Sequence, residues 1–204
     1  MLVSCELKIG KSQALSETVG KFSQFTVVPF RDITETYHIP DGVDAIVLSG
    51  SAARIVEPAY QNMFRNVANL IKTCNVPILG ICYGHQLLCW AFGAKVGSLP
   101  QRVFNFFGEI RVIEADGLFT GLGRQVLLSE NHFDYVLKDG LAEAGFVLLA
   151  DSASCEVEAI KHKTKPFYGV QFHPERTTER YPEGQKVIEN FYKNAVKPSE
   201  EKVR

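Results

Sequence analysis

Residues 76–93, Val-Pro-Ile-Leu-Gly-Ile-Cys-Tyr-Gly-His-Gln-Leu-Leu-Cys-Trp-Ala-Phe-Gly, constrain the fold more than any other stretch of the chain. Pro77 to Ile81 is a short apolar run of the kind buried in parallel sheets. From about His85 to Phe92 there is room for a short helix, and Gly93 supplies a stop. Gly80-x-Cys82-x-Gly84 joins the two. A nucleophile between glycines at a strand-to-helix turn is a nucleophile elbow, because glycines bend where a Cβ would clash. The turn also sets Cys82 at a helix N-terminus, where the helix dipole favours a thiolate. The plainer alternative is that Cys82 is a small buried hydrophobe.

A second stretch answers the first. Tyr168-Gly169-Val170-Gln171-Phe172-His173-Pro174-Glu175 begins as a strand, and Pro174 ends its ladder. His173 and Glu175 are therefore expected at a strand end. A cysteine nucleophile needs a base, and the base needs an acceptor to orient it. His132 is a second candidate base, ranked below His173 because only His173 has a carboxylate two residues on at a strand end.

The two motifs, Gly80-Ile-Cys82-Tyr-Gly84-His-Gln86 and Gly169-Val-Gln-Phe-His173-Pro-Glu175, resemble the class I (triad) glutamine amidotransferase family. The resemblance runs from Asp44 to about Ala195. Tyr83 and Glu130-Asn131-His132-Phe133-Asp134 are most similar to the glutaminase subunits of two-subunit GMP synthases. It implies a flavodoxin-like, doubly wound α/β fold, with a mostly parallel central sheet, flanking helices and a small additional antiparallel β element. It further implies Cys82, His173 and Glu175 as the catalytic set. Gly50, Ser51 and Tyr83 would serve the oxyanion, and Gln86, Asn131 and Phe133 would contact glutamine. In the family the turn after the third strand usually reads Ser-Gly-Gly-Pro, whereas this chain has Ser49-Gly50-Ser51-Ala52. Serine keeps the backbone N–H donor but would be strained if the position required φ > 0. A second departure stands at Lys8-Ile9-Gly10-Lys11, where the family usually carries Asp-x-Gly.

The 204 residues, 46% of them hydrophobic, suit one α/β domain, expected over 1–196 with a charged tail at 197–204. Lys plus Arg number 22 and Asp plus Glu 23, a net charge of −1, so no field for nucleic acid or a membrane surface arises. No apolar run reaches the roughly 18 residues of a membrane span, and no signal peptide is evident. Five scattered cysteines (5, 74, 82, 89, 155), none in C-x-x-C spacing, suggest reduced thiols in the cytoplasm and no metal site.

In order, the pattern predicts a strand over Leu2–Ile9, a helix over Ser12–Phe22 and a β-rich run over Phe25–Phe30. A strand over Asp44–Leu48 and a helix over Pro58–Lys72 follow. Gly97–Leu128 reads as connecting β structure. Strands are expected over Phe146–Ala150, Cys155–His162 and Pro166–Phe172, and a closing amphipathic helix over Gln185–Ala195.

No nucleotide-binding loop is visible, so ATP and magnesium are expected on a separate ATP-pyrophosphatase synthetase subunit that uses the ammonia. Other readings stay open at this point. The chain could serve anthranilate, aminodeoxychorismate or carbamoyl phosphate synthesis, hydrolyse γ-glutamyl compounds alone, or bind without catalysis.

Overall fold

The computed structural model describes residues 1–8, 13–115 and 117–196. They form, in chain order, β1 (Leu2–Ser4), α1 (Gln13–Gly20), β2 (Val27–Pro29), β3 (Ile46–Leu48), α2 (Pro58–Met63), α3 (Arg65–Thr73), β4 (Ile78–Ile81), α4 (Tyr83–Ala91), β5 (Val96–Val112), β6 (Gln125–Val136), β7 (Phe146–Ser152), β8 (Ala159–His162), β9 (Phe167–Val170) and α5 (Glu183–Asn194). One sheet holds them in the order β2-β1-β3-β4-β9-β8-β7-β5-β6. From β2 to β9 neighbours run parallel, and from β9 onward they alternate antiparallel.

The sheet is covered on both faces because its central strands are apolar on both. Ile46, Leu48 and Ile78 pack with Val67, Ala68 and Ile71 of α3 and Leu87 and Leu88 of α4. The alternate residues Val47, Leu79 and Ile81 pack on the other face with Leu15 and Val19 of α1 and Val187, Ile188 and Phe191 of α5. This is the doubly wound arrangement the sequence predicts. The antiparallel part is four strands long and continues the same sheet.

Several boundaries differ from expectation, each for a local reason. β1 stops at Ser4, because the Cys5 N–H leaves the ladder and donates to Ser49 Oγ at 2.9 Å. The helix expected over Pro58–Lys72 breaks at Phe64 (φ −97°, ψ 9°), whose ring is fully buried between Phe30 (4.1 Å) and Tyr83 (4.8 Å). The elbow helix starts at Tyr83 rather than His85, since Cys82 alone makes the turn and its carbonyl already accepts from Gln86 N–H at 3.0 Å. β8 starts at Ala159, because Ser152 Oγ accepts from Cys155 N–H (3.0 Å) and folds the preceding residues into a turn. β9 ends at Val170, so His173 lies three residues beyond the strand, where its N–H donates to Ser129 O at 2.7 Å. Within β5 the register with β6 slips after Ser98, at Leu99-Pro100, as a proline inside a ladder requires. The departure at Ile9-Gly10-Lys11 and the tail at 197–204 lie outside the described residues.

Candidate active site

The elbow is built by close backbone approaches. A Cβ on Gly80 would stand 2.6 Å from Gly84 O, and one on Gly84 would stand 2.4 Å from Leu48 O. Both positions must be glycine for β3, β4 and α4 to come this near. Cys82 itself sits at φ 50°, ψ −105°, the one non-glycine at positive φ among the described residues. Its N–H donates to Val170 O at 2.8 Å, which ties the nucleophile to the end of β9. The sulfur is almost covered, with the residue 5% exposed, yet it lines two adjoining clefts of about 340 and 430 Å³.

His173 arrives at the same rim from beyond β9, and both its Cε1 and the Cys82 Cβ lie within 3.7 Å of the place a Cβ on Gly50 would take. On the other side Nδ1 meets Glu175 Oε1 at 2.8 Å. All three side chains are buried. Burial disfavours the imidazolium, but Glu175 and Cys82 outweigh it and raise the His173 pKa to about 10. For Glu175 burial works upward, and the His173 cation more than offsets it, holding the carboxyl below its usual range. Residues separated by more than 90 positions are thus gathered at one rim, with the imidazole bonded to the carboxylate and close to the sulfur.

The loop after β3 closes the other side. A Cβ on Gly50 would lie 3.2 Å from His173 Cε1 and 3.7 Å from Cys82 Cβ, so only a bare backbone fits comfortably there. Ser49 Oγ braces the loop by donating to Gly50 O at 2.9 Å. Ser51 is outside the left-handed region, so serine carries no strain in place of the family's glycine. Its Oγ accepts from Ala53 N–H at 3.0 Å. Tyr83 buries its ring in the core against Phe64. Its N–H belongs to the first turn of α4, where intrahelical acceptors are lacking.

The residues expected to contact glutamine also stand at the rim. Asn131 O stands 3.8 Å from Cys82 Sγ, while its side-chain Oδ1 accepts from Arg102 at 3.0 Å. Phe133 lies under the Arg54 guanidinium at 4.4 Å and lines the smaller cleft. Gln86 is in the wall of that cleft too, but its amide N–H groups donate to Asp134 O (2.6 Å) and Gln171 Oε1 (3.0 Å), so it braces β6 against the end of β9. His132 pairs with Glu130 at 3.3 Å and shares the wall of the smaller cleft with Cys82.

Sequence reasoning missed Arg54 and gave Asp134 no role. Asp134 Oδ1 accepts from Arg54 Nε (2.8 Å) and Ser98 Oγ (2.9 Å) in the wall of the same cleft. A signal was present: Glu130, His132 and Asp134 alternate along β6 and all three are buried, an unusual load of charge for one inward strand face.

The model of the glutamine amidotransferase class-I family matches residues 8–195. A protein from Methanocaldococcus jannaschii, named as one subunit of a glutamine-hydrolyzing GMP synthase, is 36% identical over 82% of this chain and 82% of its own length. The protein of the same name from Methanothermobacter thermautotrophicus is 42% identical over 62% of this chain, and the match spans 65% of that relative's length. A crystal structure from Thermoplasma acidophilum, of a protein assigned as the corresponding GMP synthase subunit, superposes with a TM-score of 0.76 at 31% identity, over 94% of this chain and 92% of that one. The chain belongs to the class-I glutamine amidotransferase family.

Proposed function

We propose that the protein is a glutaminase that releases ammonia from L-glutamine through a thioester on Cys82. The observation that carries this reading is the buried chain Cys82, His173, Glu175 beside the Gly50 loop. Cys82 attacks the side-chain amide carbon, and the oxyanion is met by the backbone N–H groups of Tyr83 and Ser51. One such donor is worth about 3 kcal/mol of barrier. His173 gives its proton to the leaving nitrogen, and ammonia departs. Water then attacks the thioester, His173 takes a proton from it, and glutamate and the free thiol result. Glu175 keeps the imidazole oriented and stabilises its cation.

We further propose that the ammonia serves a separate synthetase subunit converting XMP to GMP. The names of the relatives support this reading over the other synthases. ATP and magnesium would belong to that ATP-pyrophosphatase partner. No helix among the described residues is long and apolar enough to cross a membrane, and the five cysteines are all free thiols, which favours a reducing cytoplasm.

The test is ammonia release from glutamine, by the chain alone and with an XMP-aminating synthetase present. The parent chain should support glutamine-dependent GMP formation, and Cys82→Ala should abolish it while free ammonium still sustains the partner. Retained ammonia release by Cys82→Ala would end the thioester mechanism. Glutaminase activity without any transfer to XMP would end the GMP assignment and leave the hydrolase.

A further inference from the structure

Behind the catalytic rim lies a second group of buried, chemically potent side chains that the mechanism does not use. His132 on β6 and Cys155 and Glu158, which precede β8, offer one ligand atom each, and these atoms all lie within 4.8 Å of one another. All three residues are buried, Glu158 completely. Their hydrogen bonding is incomplete: His132 Nδ1 and Glu158 Oε2 have no partner, and neither does Oε1 of the adjacent Glu130. The Cys155 thiol finds only a weak acceptor, Val157 O at 3.5 Å. Orphaned buried polar atoms are costly, at about 1–3 kcal/mol each, and call for an explanation.

We propose that His132, Cys155 and Glu158 form a metal site for a divalent ion of the zinc class, behind the wall of the Cys82 cleft to which His132 belongs. The donor set is nitrogen, sulfur and oxygen, the combination zinc accepts. The charges also match, since one thiolate and one carboxylate cancel those of a dication. His132 is already held by Glu130 through one ring nitrogen, at 3.3 Å. That carboxylate–histidine support is the usual second layer around a metal-bound imidazole. Zinc bonds of about 2.0–2.3 Å bring ligands to roughly 3.5 Å apart, so closure asks for about an ångström of side-chain movement.

The local backbone is prepared for this. Ser152 Oγ accepts from the N–H groups of Ser154 (3.3 Å) and Cys155 (3.0 Å) and donates to Glu158 Oε1 at 2.8 Å, fixing the turn that presents Cys155. Entry is available from a surface cleft of about 650 Å³ whose wall includes Glu130 and Ser152. An ion here would clip that turn to β6, the strand whose Ser129 carbonyl receives the His173 N–H.

The test uses the full chain carrying Cys82→Ala, so that the catalytic thiol cannot contribute and the outcome is independent of the glutaminase reading. After chelation and removal of the chelator, Zn²⁺ is titrated calorimetrically and Co²⁺ spectroscopically. One equivalent should bind, with a cobalt–thiolate band and a raised melting temperature. Adding Cys155→Ser should abolish the band, and adding Glu158→Gln should weaken zinc at least ~100-fold, whereas Glu130→Gln should weaken it about 10–100-fold. Circular dichroism checks that each variant is folded, and Cys74→Ser, at a buried thiol elsewhere, should change nothing. Absence of stoichiometric binding to Cys82→Ala, or a thiolate band that survives Cys155→Ser, would overturn the site.

Discussion

Replacing Gly50 by alanine is the sharpest probe of the catalytic geometry, because the added methyl meets the site and little else. Gly50 is not at positive φ, so alanine fits the backbone. The new Cβ would stand 3.2 Å from His173 Cε1, where ordinary contact begins at 3.4 Å and extends to 4 Å. The ring cannot retreat freely, since Glu175 holds Nδ1 at 2.8 Å and the residue is buried. Relief therefore requires a shift of about 0.3–0.5 Å in the imidazole or the loop. A misplacement of about 1 Å costs on the order of 100-fold, so this shift should cost about four- to tenfold, or ~0.8–1.4 kcal/mol of barrier. The loss should fall on kcat for ammonia release and on the rate at which a glutamine-like chloroketone alkylates Cys82. Stability should hardly move, because alanine also restricts the unfolded chain by about 0.4–1 kcal/mol. Unchanged kcat in a folded Gly50→Ala protein would refute the placement of this loop against the base. So would a loss traced wholly to unfolding.

Other substitutions separate the remaining parts. Glu175→Gln should lower glutaminase activity by about 10²–10⁴-fold, less than Cys82→Ala, and a larger loss in a folded protein would show that Glu175 does more than orient. In the same variant the His173 pKa should fall from about 10, because Cys82 alone then opposes burial; NMR titration of the imidazole reads this directly. Since that pKa is raised on folding, its stabilisation is complete below pH 6.5 and disappears toward pH 10, so the urea midpoint of the parent should drop across that window and that of Glu175→Gln should stay flatter. Gly84→Ala forces a Cβ to 2.4 Å from Leu48 O and should destabilise by about 3 kcal/mol or more in denaturant titrations; a near-neutral result would mean the elbow is looser than described. Arg54→Ala strips a buried Asp134 of its cation and should cost about 1–2 kcal/mol, discounted because Arg54 is one-third exposed, and raise KM for glutamine more than it changes kcat.

What could be read from the sequence was what local chemistry dictates. The elbow announces itself because two glycines and a cysteine must be close in sequence to make one turn. His173-Pro174-Glu175 is likewise a local device, and the apolar runs of β3 and β4 admit only burial on both faces. Boundaries were less legible where a distant partner decides them. β1 ends because Ser49, 44 residues away, takes the Cys5 N–H. The break at Phe64 depends on Phe30 and Tyr83, which no helical period reveals. Arg54 and Asp134 lie 80 residues apart, and neither flank hints at the pairing. The His132, Cys155, Glu158 group escaped because its members have no motif spacing. They are neighbours only through the antiparallel half of the sheet.

Cys82 occupies a backbone conformation that side chains avoid, at φ 50°. Such strain costs on the order of 1–3 kcal/mol, and glycine would relieve most of it while loosening the unfolded chain by roughly 0.5–1 kcal/mol. A Cys82→Gly protein should therefore be inert yet harder to unfold, by about 1 kcal/mol. Turnover and robustness pull this single position in opposite directions. A lineage released from the need to make ammonia would be expected to lose its sulfur early, and to keep everything around it.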